Sequence, residues 1–140
     1  MKKYVIDASV AVKWLVPEIH AERSMRLLKE NHGLMAPDLV FAEIGNVLLK
    51  KSRMGEIETE AALEMLTDFK GIPLQIYKTD ALLEFAWDIS GTYNRSFYDS
   101  LYIALSMKTA CRMVTADLKL FNSLKTTSVS KHILWVGDIP

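Results

Sequence analysis

The sequence predicts an α/β fold built on a mostly parallel sheet. Three observations carry that prediction. An unbroken apolar run, Tyr4-Val5-Ile6, starts three residues into the chain and leaves no room for polar alternation, which suits a strand buried on both faces. Strand-like and helix-like segments then alternate to the last strand, the pattern of parallel strands joined by crossover helices. Carboxylates stand where strands give way to helices, at the edge of an open α/β sheet where ligands bind.

The first strand ends on Asp7, and residues 8–15 are a good helical run whose free amides Asp7 or Ser9 can cap. Pro17 stops or redirects the backbone, and residues 18–30 resume helical character with apolar Ile19, Met25, Leu27 and Leu28. Asn31-His32-Gly33 reads as a helix end. Leu34-Met35-Ala36 is a brief second strand closed by Pro37, whose ring helps start a helix over residues 38–51. Arg53-Met54-Gly55 turns the chain into an amphipathic helix over residues 57–69, where Ala61, Ala62, Leu63, Met65 and Leu66 lie among acids. Residues 72–77 form a short strand entered through Pro73. A helix over residues 80–89 ends at Ser90-Gly91, and after the polar bend of residues 92–95, Ser96 opens another over residues 97–108. Residues 112–115 read as a strand, 117–123 as a short helix and 133–136 as a last strand.

At 140 residues and 50% hydrophobic, the chain is expected to be one domain, residues 1–140, around a single core. Seventeen basic and seventeen acidic residues cancel, so any contact with nucleic acid must come from local patches or a bound metal rather than a whole-molecule field. The single cysteine, Cys111, sits in an apolar run and reads as a buried thiol, with a cytoplasmic home as the default. Met1-Lys2-Lys3 before an apolar run imitates a signal peptide, but Asp7 and Lys13 interrupt it and no small-residue cleavage site follows. No stretch approaches the roughly 18 uncharged apolar residues of a membrane-spanning helix, so the protein is read as soluble.

Four acids stand out. Asp7 ends a strand, Asp117 follows the strand ending at Thr115, Asp99 lies in the first turn of a helix, and Glu43 is inside one. Singly, Asp7 and Asp117 can be N-caps, and Asp99 can close a capping pair with Ser96, each use stabilising a helix by about 1 kcal/mol. Glu43 is harder to explain locally. At 100° per residue it falls within about 60° of Leu39, Val40 and Val47, so its carboxylate is half-buried and needs a partner, with Lys50 the nearby candidate. Drawn together at one sheet edge, the four would raise one another's pKa and destabilise the fold unless a divalent cation neutralised them. Oxygen ligands without a nearby histidine favour Mg²⁺ or Mn²⁺ over zinc, and His20, His32 and His132 have neither the spacing nor the context of zinc ligands.

Val5-Ile6-Asp7-Ala8-Ser9-Val10, then Pro37 followed by Glu43 with Asn46-Val47-Leu48, then Tyr98-Asp99-Ser100-Leu101-Tyr102-Ile103-Ala104-Leu105, then Thr115-Ala116-Asp117, resemble PIN-domain ribonucleases. Among these the chain is most similar to the small single-domain toxins of VapBC toxin-antitoxin modules, and the likeness runs from Tyr4 to the final strand. The resemblance implies a three-layer α/β/α sandwich with a five-stranded, mostly parallel sheet. It implies Mg²⁺ or Mn²⁺ held chiefly by Asp7 and Asp99, Glu43 and Asp117 completing the pocket or acting through water, and Ser9 and Thr115 as hydroxyls that order the site. Ser100 and Ser106 stand where alanine is commoner in the family.

The leading expectation is therefore a metal-dependent endoribonuclease acting on structured RNA, with a VapB-like antitoxin and a homodimer implied by likeness. Lys13, Arg95 and Lys119 lie near strand–helix junctions and can meet phosphates, and Lys50, Lys51 and Arg53 form a basic helix end. The alternative is a catalytically weak PIN scaffold that works as a protein- or RNA-binding module, which the Met- and Leu-rich helices would suit. A phosphotransfer domain using Asp7 as acceptor lacks the expected second aspartate two residues on, where Ser9 stands.

Overall fold

The computed structural model describes residues 2–140, so Met1 of the signal-like start lies outside the described residues. Five parallel strands, β1 (Lys3–Ile6), β2 (Gly33–Pro37), β3 (Leu74–Tyr77), β4 (Arg112–Thr115) and β5 (Ile133–Trp135), form one sheet in the order β3-β2-β1-β4-β5. The chain builds outward from β1 through β2 to β3, then returns to the other side of β1 to lay down β4 and β5. Strand order thus reverses between β1 and β4, and the crevice at their carboxyl ends is where an open α/β sheet binds ligands.

Among the described residues, seven α-helices flank the sheet: α1 (Ala8–Ala11), α2 (Ala21–Lys29), α3 (Leu39–Arg53), α4 (Thr59–Phe69), α5 (Leu83–Tyr93), α6 (Phe97–Thr109) and α7 (Leu118–Leu124). Tyr4, Val5 and Ile6 are all buried, as are Met113, Val114 and Thr115, so β1 and β4 are covered on both faces as their apolar runs require. Helix α6 packs across β1, β2 and β4, and residues 100–106 are buried without a break. The serines in that run are satisfied internally: Ser100 Oγ donates to Ser96 O, and Ser106 Oγ bonds to the carbonyls of Cys111 and His132. At the edge, β3 leaves Gln75 and Ile76 exposed.

Several expected boundaries shift, each for a local reason. The first helix tightens after Ala11 into a 3₁₀ turn, Val12–Trp14. Helix α2 starts at Ala21 rather than residue 18, because Glu18 is taken up in ion pairs and His20 adopts a left-handed conformation with φ 67°. Pro37 closes β2 as its last residue, paired with Tyr77, and α3 starts at Leu39 rather than residue 38. Helix α5 does not stop at Ser90-Gly91 but continues to Tyr93, where Asn94 takes the left-handed φ of 52° that ends helices, and Ser90 Oγ donates to Arg95 O. Strand β5 stops at Trp135, since Val136 begins a 3₁₀ turn. Cys111 is half-buried rather than enclosed, its thiol donating to Thr109 O.

Candidate active site

Asp7 sits at the carboxyl end of β1, where its N–H donates to Val114 O at 3.1 Å and so continues the pairing with β4. Its side chain caps nothing. Instead Oδ2 accepts from Ser9 Oγ at 2.7 Å and from Thr115 Oγ1 at 2.8 Å. A hydroxyl has one proton, so both are committed to Asp7, while the hydroxyl oxygens accept the N–H groups of Ala116 at 3.0 Å and Asp117 at 3.1 Å. This latch ties the end of β1 to the end of β4 and aims Asp7. Oδ1 makes no hydrogen bond among the described residues. Because valine matches threonine in shape but supplies no hydroxyl, Thr115→Val is expected to lower the unfolding free energy by about 1–3 kcal/mol in urea titrations.

Asp7 is 7% exposed. Burial pushes its carboxyl up to about 7; the Ser9 and Thr115 hydroxyls oppose that rise, and the charges of Asp99 and Glu43 add to it. Glu43, near the middle of α3, is also raised, first by burial and then by Asp99, against a lowering by the hydroxyl of Tyr102. The expected pair with Lys50 does not form among the described residues, and Glu43 Oε1 is enclosed without a well-formed hydrogen bond. Asp99 lies in the first turn of α6, which Ser96 caps by accepting the Asp99 N–H at 3.0 Å. Its carboxyl is raised by burial and by Asp117, and lowered by Ser96 and Arg95. Asp117 is exposed and is the N-cap of α7, accepting from Leu120 N at 3.1 Å.

The structure therefore brings Asp7, Glu43 and Asp99 within electrostatic reach of one another at the β1/β4 switch point, and Asp117 within reach of Asp99. Asp7 feels Asp99 and Glu43, Glu43 feels Asp99, and Asp99 feels Asp117. Local capping accounts for Asp117 but not for Asp7 or Glu43. Among the described residues no three acids, histidines or cysteines converge into a ready-made metal cage. Mg²⁺ keeps several waters and takes one or two carboxylates directly. An all-oxygen donor set, an unbonded Asp7 Oδ1 and an orphaned Glu43 Oε1 fit such a hard cation.

The three basic candidates part company. Lys13 is buried, with Nζ 3.6 Å from Glu18, which also pairs with Lys51 of α3 at 3.0 Å. It belongs to an internal ion network rather than an open surface, a placement fixed by a contact with α3 that local sequence does not encode. Arg95 is half-buried beside Asp99, and Lys119 is exposed in α7. Tyr102, three residues after Asp99 and so on the same face of α6, was not singled out by the sequence; its hydroxyl is buried beside Glu43. The signal was that spacing, which in an apolar helical run reads first as core.

A family model described as PIN domain matches residues 4–125. Ribonuclease VapC3 of Pyrobaculum aerophilum is 30% identical over 122 residues, covering 84% of this chain and 92% of that protein. The crystal structure of PAE2754 from Pyrobaculum aerophilum superposes with a TM-score of 0.67 at 22% identity, over 97% of this chain and 85% of its own. VapBC2 from Rickettsia felis, solved bound to a DNA fragment from its promoter, gives 0.65 at 16% identity, over 95% and 98%.

Proposed function

The chain belongs to the PIN-domain family, among the relatives of the VapC ribonucleases, and on that premise we propose that it is a Mg²⁺- or Mn²⁺-dependent endoribonuclease acting on structured RNA, the toxin of a type II toxin-antitoxin pair. The observation that carries the reading is a group of three mutually repelling carboxylates at the sheet's switch point, Asp7, Glu43 and Asp99, with Asp117 beside Asp99; Asp7 is buried and Glu43 half-buried, and each keeps an oxygen without a hydrogen bond. Without a cation such a cluster costs stability, and a fold keeps it where it does chemistry.

Asp7 and Asp99 would hold the metal, with Glu43 and Asp117 completing the set. The bound cation supplies Lewis acidity toward the phosphate and a more acidic water. Ser9 and Thr115 hold Asp7 through Oδ2 and leave Oδ1 free of hydrogen bonds, so that it can take a ligand with little reorganisation. Glu43, whose carboxyl is raised by burial, is suited to take the proton of the attacking water, with Asp117 the other candidate acceptor. Arg95 and Lys119 at the rim meet RNA phosphates. Charge reversal at Arg95 is expected to weaken RNA binding and reduce its salt slope by about 1, measured by filter binding across a salt series with an Asp7→Asn background.

A VapB-like antitoxin, homodimer formation and a cytoplasmic location complete the proposal. The apolar hollow between α3 and α4, about 340 Å³ and lined by Gly45, Leu49, Leu63 and Leu66, supports a partner helix. No helix among the described residues is long and apolar enough to cross a membrane. The test is cleavage of a folded RNA by purified protein with Mg²⁺ or Mn²⁺, against the same reaction in EDTA. Fragments with 5′-phosphate and 3′-hydroxyl ends that vanish in EDTA support the nuclease. No cleavage with either metal leaves the binding-module alternative.

A further inference from the structure

The enclosed Glu43 Oε1 has a neighbour in the same predicament. Tyr102 is 1% exposed, and its buried hydroxyl approaches the Glu43 carboxyl without closing a well-formed hydrogen bond. The two atoms belong to groups that face each other from α3 and α6, and the phenol also lies within the electrostatic reach of Asp7 and Asp99. An unpaired buried hydroxyl costs about 1–3 kcal/mol, and so does an unpaired buried carboxylate oxygen, so a fold that keeps both side by side gains nothing in stability from them. Phenylalanine would pack as well.

Resting on the metal-dependent reading of the site, we propose that Tyr102 is a positioning residue whose hydroxyl donates to Glu43 Oε1 when the acid cluster takes up its cation. That bond holds Oε1 inward and presents Oε2 to the metal or its water. Outer partners of metal-binding carboxylates act in this manner, and their loss weakens metal affinity by about tenfold or more. The placement also explains the spacing on α6: Asp99 and Tyr102 lie three residues apart on one face, so one helix delivers an acid directly and orients a second acid across the cleft.

The test is Mn²⁺ binding by calorimetry in the absence of RNA, with thermal unfolding in EDTA alongside, for the wild-type chain, Tyr102→Phe, Glu43→Gln and the double variant. Tyr102→Phe is expected to bind Mn²⁺ about tenfold more weakly while its EDTA melting temperature stays level or rises, since the hydroxyl removed was unsatisfied. The double variant is expected to bind no more weakly than Glu43→Gln alone, because the hydroxyl acts through that carboxylate. Wild-type affinity in Tyr102→Phe with weakened binding in Glu43→Gln would overturn the role of Tyr102 and leave the metal site standing, as would additive losses in the double variant. Unchanged affinity in both single variants and in Asp7→Asn would overturn the metal site and Tyr102 with it.

Discussion

Asp7→Asn is expected to reduce RNA cleavage by about 10³-fold or more while the protein stays folded. Losing a metal-holding carboxylate removes several kcal/mol of transition-state stabilisation, and each 1.4 kcal/mol is a factor of ten in rate. The fold survives because an asparagine oxygen can still accept from Ser9 Oγ and Thr115 Oγ1, so the latch between β1 and β4 persists. The position is also relieved of a charge that burial disfavours. Asp99→Asn should behave alike, since the Asp99 N–H to Ser96 bond that caps α6 does not involve its side chain. Mapping the 5′ ends of cellular RNA after brief expression, with Asp7→Asn as the control, would read the activity and its target together. A variant cutting within about tenfold of wild type would remove Asp7 from the chemistry.

How far the sequence alone reached depends on the range of the forces involved. The unbroken Tyr4-Val5-Ile6 run and the strand at Arg112–Thr115 were legible because burial on both faces writes itself into consecutive residues. Ser96 before Asp99 was legible because capping is a contact within one turn. Helix α5 outran its expected end because Gly91 has open space around it and costs the helix only propensity, while Asn94 provides the left-handed stop three residues later. Lys13 and Tyr102 were hidden for a different reason. A lysine near a strand–helix junction reads as a phosphate contact until Glu18 and Lys51 are seen to enclose it in a network. A tyrosine in an apolar helix reads as core until the opposite helix shows which polar atom its hydroxyl meets. Both facts are tertiary, and no window along the chain contains them.

The same electrostatics make the metal-free protein sensitive to pH. With Asp7 pushed up to about 7, against an ordinary aspartate value of about 3.9, the native state keeps a proton that the unfolded chain has already released. Stability in EDTA is therefore expected to be highest near pH 4 and to fall as pH rises to about 7, by about 4 kcal/mol from this one group. Glu43 and Asp99 are raised as well and add in the same direction. Asp7→Asn, with nothing to ionise at that position, should flatten most of the decline and exceed wild type in melting temperature at neutral pH without metal. Adding Mg²⁺ should reverse the order of events: a cation at a hundred times its dissociation constant stabilises the folded chain by about 2.7 kcal/mol, offsetting the repulsion that deprotonation exposes. Chemical unfolding of both proteins from pH 4 to pH 8, with EDTA and with Mg²⁺, measures each quantity. A flat wild-type profile in EDTA would show that Asp7 is not isolated from water as its burial implies. Equal stabilisation of wild type and Asp7→Asn by Mg²⁺ would show instead that the cation binds elsewhere, because a ligand can favour the folded state only through the groups it touches there.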